Sequence, residues 1–187
     1  MTKALIVIDV QESFRTRAEW ADNSNPGLIG QVNRLVDLTR AENGLVVWVL
    51  HSEPGSGGPF DPASGHVRLI DGLSPAEGEP VLTKTAHNAF TTTNLQQTLT
   101  VRGVQEVLIS GIRTEQCCET TARVGSDLGF GVTFVTDATA TTPLRHWRTG
   151  AVMSTNDIIE RTESVLAGRF ASIATVDELT GSILTGS

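Results

Sequence analysis

Short apolar runs constrain this chain more than any other feature. "LIVI" at residues 5–8, "LVVWVL" at 45–50 and "EVLIS" at 106–110 read as strands buried on both faces, as in a parallel sheet. "PVLTK" ending at Lys84, "VTFVTDA" at 132–138 and "ASIATV" at 171–176 bring the number to roughly six. Helical patterns fall between them. Asn23, Ser24, Asn25 and Pro26 precede Leu28, Ile29, Val32, Leu35 and Val36 at helical spacing, and Asn43-Gly44 stops that helix. Leu95, Leu99 and Val101 predict a second before Gly103, and residues 116–128 a third ended by Gly129 and Gly131. Residues 145–159 and a short stretch at 163–166 predict two more. Strand–helix alternation implies one α/β domain over residues 1–187: a three-layer α/β/α sandwich around a mostly parallel, Rossmann-like sheet.

Composition excludes several classes of function. The 187 residues suit a single core, and the formal charge of -7 with no basic stripe argues against a nucleic-acid partner. No apolar segment is long enough for a signal peptide or a membrane span, so the expectation is a cytoplasmic chain with no membrane partner. The two cysteines, Cys117 and Cys118, are neighbours, which excludes a disulfide framework.

Chemistry is expected where strands end. In open α/β sheets ligands bind beyond the carboxyl ends of the strands, and Asp9, His51, Lys84 and the 111–118 turn all follow such ends. Asp9 alone reads equally as a carboxylate accepting loop amides or as a metal ligand, and Lys84 alone as a solvated surface group. Cys117 follows a strand and a glycine turn, which places it in the first turn of a helix, where free amides and a nearby ammonium depress a thiol pKa. Cys118, one position on, reads as an inert core thiol. Together Asp9 can take and return a proton, Lys84 can stabilise the thiolate and Cys117 can attack a carbonyl carbon. Residues 51–66, rich in Gly, Pro and Ser, form a loop of the kind that covers sites.

These residues resemble the isochorismatase-like cysteine hydrolases, which include nicotinamidases, N-carbamoylsarcosine amidohydrolase, ureidoacrylate and biuret amidohydrolases, and streptothricin hydrolase. The resemblance rests on "VIDVQESF", on Lys84 followed by Ala89-Phe90, and above all on "GIRTEQCCETTARVGSDLGF" followed by "VTDATAT". It implies Cys117 as nucleophile, Asp9 as acid and base, and Lys84 as the third member. It also implies a cis peptide between Ile112 and Arg113, with the Arg113 and Cys117 amides forming an oxyanion hole. No organic cofactor is implied.

Departures from the pattern narrow the reaction. Nicotinamidases carry a metal-binding Asp and His two residues apart after the second strand; here "LHSEPGSGG" puts His51 and Glu53 there, with His87 just after Lys84. The expectation is a metal-free pocket with His51 and His87 as polar lining, and a site of His51, Glu53 and His87 is the alternative. By the same resemblance, isochorismatases proper lack the nucleophilic cysteine, so Cys117 favours an amide, ureide or lactam carbonyl over a vinyl ether. An inactive small-molecule binding module of the same fold is the non-enzymatic alternative. Gln11, Phe14, Trp20, His51, His87, Ile112 and Arg113 are the candidate substrate-binding residues, Arg113 either facing a substrate carboxylate or held at the surface by Glu115 or Glu119. The resemblance implies a homo-oligomer, and Trp147, Val152, Met153 and Ile158 are a candidate contact face, with core packing as the default.

Overall fold

The computed structural model describes residues 2–181. In chain order the elements are β1 (Thr2–Ile8), α1 (Glu12–Arg15), α2 (Leu28–Ala41), β2 (Leu45–His51), β3 (Val81–Lys84), α3 (Leu95–Val101) and β4 (Val104–Ile112). Then come α4 (Glu119–Asp127), β5 (Gly131–Ala140), β6 (Leu144–Arg145), β7 (Val152–Met153), α5 (Thr155–Leu166), β8 (Ser172–Ala174) and α6 (Val176–Gly181). Six strands lie side by side in the order β3-β2-β1-β4-β5-β8, and every neighbouring pair is parallel.

The pleat of β1 shows how the two faces are filled. Leu5 and Val7 point into one cluster with Val32, Leu35 and Val36 of α2 and Trp48 of β2. Ala4, Ile6 and Ile8 point the other way, among Leu95 and Leu99 of α3, Ala122 of α4 and Leu166 of α5. A strand buried on both faces must be apolar at every position, which is why residues 5–8 run unbroken. Each fully buried aliphatic side chain contributes roughly 1.5–3 kcal/mol. The chain thus builds the three layers that its pattern predicts.

The strand order also fixes where a ligand can bind. From β1 the chain winds outward to β2 and β3, then returns to the other side of β1 as β4, so the winding reverses between β1 and β4. Beyond the carboxyl ends of those strands a crevice opens. At that point Gly111 lies opposite Ile8 with φ +129°, and a Cβ there would stand 1.9 Å from the Ile8 carbonyl oxygen. Only glycine lets β4 approach β1 this closely.

Two helix expectations are corrected. Residues 144–153 form an antiparallel hairpin, not a helix over 145–159, and α5 runs unbroken from Thr155 to Leu166, absorbing the separate stretch expected at 163–166. Ser154 sets that start: its hydroxyl accepts from the Asp157 amide at 3.2 Å, and the Asp157 carboxylate accepts from the Ser154 amide at 3.2 Å. Consequently Ile158 is core, whereas Trp147 is 82 % exposed and Val152 and Met153 are exposed with it. The helix expected over 116–128 begins earlier, as a π turn over Thr114–Cys118 that runs into α4. Its wide register shows in the Cys118 amide, which donates to the Arg113 carbonyl at 3.1 Å.

Candidate active site

Asp9, Lys84 and Cys117 reach the crevice from three different strands. Asp9 is the first residue after β1; its amide donates to the Val49 carbonyl at 2.8 Å and its φ is +54°. That conformation is uncommon for a non-glycine residue, and Asp is among the types that tolerate it best. Lys84 ends β3 opposite His51. Cys117 sits in the π turn after β4, where its carbonyl accepts from the Thr121 hydroxyl at 2.6 Å, and Thr121 in turn accepts from the Ala89 amide at 3.0 Å.

The side chains gather tightly. Lys84 Nζ lies 2.8 Å from Asp9 Oδ2, 3.5 Å from Cys117 Sγ and 3.3 Å from His51 Nδ1. The Lys84–Asp9 contact is an ion pair by distance, although neither Asp9 oxygen accepts a well-aligned hydrogen bond. Asp9 and Lys84 are completely buried and Cys117 is 7 % exposed. The Ile112–Arg113 peptide bond is cis.

Burial decides the proton balance. It raises the Asp9 pKa above the ordinary carboxylate value, against the lowering effects of Lys84, Cys117 and His51. It also pushes the Cys117 thiol up to about 12, with the Asp9 charge adding and Lys84 opposing. The expectation of a depressed thiol is therefore corrected: desolvation and a neighbouring carboxylate outweigh the ammonium. Cys117 rests as a thiol beside the Asp9 carboxyl group. Cys118 is fully buried in the apolar cluster under α4, and burial holds its pKa well above the ordinary thiol value.

A cavity of about 190 Å³ has Asp9 and Cys117 in its wall. Phe14, His51, His87 and Arg113 line it as expected, and Arg17, Phe60 and Gln116 line it without having been singled out in the sequence. Phe60 belongs to the 51–66 loop, and Gln116 adjoins Cys117, so position alone could have flagged both. Arg113 stands in the wall with its guanidinium hydrogen-bonded to the Thr142 hydroxyl and 3.9 Å from Glu115; Glu119 is held instead by Arg123 and Arg161.

Three expected lining residues lie elsewhere. Trp20 borders a separate hollow of about 430 Å³ with Ile29 and Ile70, its ring 6.1 Å from Phe14, because the 3₁₀ turn at Ala18–Asp22 carries it away. Gln11 is completely buried and grips the backbone of His51, accepting from its amide at 2.7 Å and donating to its carbonyl at 3.0 Å. Ile112 packs in the core on the α2 side.

The metal alternative does not fit these positions. His51 Nδ1 faces Lys84 and Nε2 faces Glu53 Oε1 at 3.3 Å, so both ring nitrogens are engaged. The rings of His51 and His87 are stacked at 6.3 Å, and among the described residues no three His, Cys, Asp or Glu side chains are grouped to hold a metal ion.

Known proteins resemble the chain along most of its length. The chain is 28% identical over 177 residues to the uncharacterized isochorismatase family protein YrdC of Bacillus subtilis, covering 95% of this chain and 94% of that one. It is 30% identical over 194 residues to nicotinamidase 3 of Arabidopsis thaliana, covering 97% and 88%. A cysteine hydrolase from Pseudomonas syringae superposes with a TM-score of 0.86 at 23% identity, over 97% of this chain and 92% of that one, and so shares the fold. Since the profile described as "Isochorismatase domain" matches residues 3–163, from β1 to within α5, the chain belongs to the isochorismatase family, whose members include hydrolases of the isochorismatase-like superfamily.

Proposed function

We propose that this hydrolase cleaves the C–N bond of a small amide, ureide or lactam through a thioester on Cys117. The observation that carries this reading is the Cys117 sulfur, at the wall of the cavity and 3.5 Å from Lys84 Nζ, beside the carboxylate of Asp9. Protonating a vinyl ether has no use for a nucleophilic thiol, whereas a thiol beside a carboxylate suits acyl transfer through a thioester.

The steps follow from the proton balance. As Cys117 Sγ attacks the carbonyl carbon, its proton passes to Asp9, so the thiolate forms only as the S–C bond forms. The oxyanion accepts hydrogen bonds from the Arg113 and Cys117 amides. Asp9 then gives its proton to the departing nitrogen and the C–N bond breaks, leaving a thioester. Water attacks the thioester, giving its proton to Asp9; the S–C bond breaks and Asp9 returns a proton to sulfur. Lys84 stays an ammonium throughout and passes no proton on. Its charge stabilises the carboxylate and the developing thiolate.

Cavity size supports a small substrate. Drug-sized ligands occupy roughly 300–1,000 Å³, and about 190 Å³ is available here. The test is ammonia release across primary amides, ureides and lactams, with acid quench during turnover and mass spectrometry of the Cys117 peptide. An acyl adduct on Cys117, absent in Cys117→Ala, supports the reading. Isochorismate cleavage by a fully active Cys117→Ala variant would replace it with vinyl ether hydrolysis, and no turnover of any compound would favour the binding module.

A further inference from the structure

We infer that His51, held in one tautomer by Glu53, is a positioning residue that fixes the Lys84 ammonium between Asp9 and Cys117, and neither binds substrate nor a metal. The inference rests on the proposed role of Lys84 toward the Cys117 sulfur.

The argument is an accounting of hydrogens. Lys84 is completely buried, so water cannot serve its ammonium. An ammonium carries three N–H donors and no acceptor. Two hydrogen-bonding neighbours stand within reach, His51 Nδ1 at 3.3 Å and Cys117 Sγ at 3.5 Å, and Asp9 Oδ2 at 2.8 Å is the ion-pair partner toward which the third hydrogen lies. Take away His51 and one hydrogen has no partner, so the desolvated ammonium beside Cys117 is less well stabilised.

Receiving that hydrogen dictates the imidazole's state. Nδ1 must offer a lone pair, so the ring proton sits on Nε2, where Glu53 Oε1 accepts it at 3.3 Å. A carboxylate behind an imidazole fixes the tautomer in this way at many sites. Gln11 holds the His51 backbone through both its amide and its carbonyl, and Phe60 packs edge-on against the ring at 5.6 Å. The charged and titratable groups around the ring are Lys84, Asp9, Glu53 and His87. Burial and the Lys84 charge hold the His51 pKa below its ordinary value, which keeps Nδ1 unprotonated at neutral pH.

The decisive comparison is His51→Asn against His51→Leu. The two side chains have nearly the same shape, but only Asn places an acceptor oxygen near the former Nδ1. Both variants open the cavity equally; they differ in what they offer Lys84. Iodoacetamide alkylation of Cys117 at pH 7.5, followed by peptide mass spectrometry, reads how well the ammonium stabilises the thiolate. The Asn variant should react roughly tenfold or more faster than the Leu variant, the range for a hydrogen bond to a charged group. Equal rates would overturn the inference. Because the Leu variant can fail to fold, the nitrogen-15 shifts of His51 in the unmodified protein supply a second measurement. A protonated Nε2 with a bare Nδ1 supports the inference, and a protonated Nδ1 overturns it. With any amide that is turned over, kcat should separate the two variants while KM does not. If no compound of the panel is hydrolysed, the proposed reaction fails, and alkylation and tautomer still decide the role of His51.

Discussion

Replacing Asp9 with Asn should abolish turnover and at the same time make Cys117 more reactive toward an alkylating agent. A thiol with a pKa of about 12 is ionised to roughly 3 × 10⁻⁵ at pH 7.5, against about 0.1 for a free cysteine near 8.5. The loss of about 3,000-fold in thiolate is offset partly, by roughly 40-fold, because a more basic thiolate is a better nucleophile. Native Cys117 should therefore react with iodoacetamide about 100-fold more slowly than a free thiol. The Asp9 charge is one of the two main causes of that high value. Coulomb's law puts a unit charge at hydrogen-bonding range, about 4 Å in an effective dielectric near 20, at about 4 kcal/mol, or about 3 pKa units.

Removing the charge in Asp9→Asn raises the thiolate fraction about 1,000-fold and lowers nucleophilicity about 20-fold, so alkylation should accelerate by roughly 40-fold. Turnover should meanwhile fall by roughly 10²- to 10⁴-fold or more, since no group remains to take the thiol proton and return it to nitrogen. The assay is the pseudo-first-order rate of Cys117 carbamidomethylation in both proteins, read by peptide mass spectrometry, beside ammonia release from any amide turned over. A variant that alkylates no faster than the parent would refute the reasoning, because it would mean that Asp9 carries no charge against the resting thiol.

Three further outcomes are expected. Cys118→Ala should keep most of the turnover and lose roughly 1 kcal/mol of stability in urea titration, since it empties a small space in the apolar cluster; alkylation that vanished with Cys118 would reverse the assignment. Gly111→Ala should destabilise the fold by more than about 4 kcal/mol or prevent folding, because the new Cβ meets the Ile8 backbone at 1.9 Å in a left-handed conformation, and a variant of near-parental stability would contradict that contact. Dialysis against a strong chelator should leave the rate unchanged, because both His51 nitrogens are already engaged; activity lost and restored by zinc, iron or manganese would show a metal site after all.

The sequence exposed those parts of the fold whose cause is local. An unbroken apolar run can only be satisfied by two covered faces, so residues 5–8 and 45–50 declared a buried parallel sheet, and residues at strand ends declared the crevice. The hairpin at 144–153 has no strong local signal of its own, whereas Ser154 three residues before Asp157 is a capping box that marks a helix start and not an interior. Trp20 and Gln11 could not be placed, since side-chain direction in the loop after β1 depends on how a 3₁₀ turn and the β2 backbone meet it. The Cys117 pKa is illegible for a related reason: a chain position shows a helix start and a lysine, but only the packed structure shows that the sulfur is desolvated beside a carboxylate.

Desolvation is also what ties the stability of this fold to its chemistry. Because the Asp9 pKa is raised in the folded protein, the carboxyl group favours the native state while protonated and withdraws that contribution as pH rises from the ordinary carboxylate value through the raised one. Above the raised value the protein holds a buried charge that the fold alone would not select. Lys84 compensates it, and removing either partner leaves the other charge unpaired in the interior, a change that typically costs about 3–5 kcal/mol. A neutral pair of similar volume would pack as well, but it could not receive a proton from Cys117. The same burial that makes Asp9 expensive raises its proton affinity, and in the proposed reaction this is what lets it take the thiol proton as the S–C bond forms. On that proposal, the acid at the end of a buried strand is a carboxylate that desolvation makes more basic and a buried ammonium holds in place, so that it can take the thiol proton.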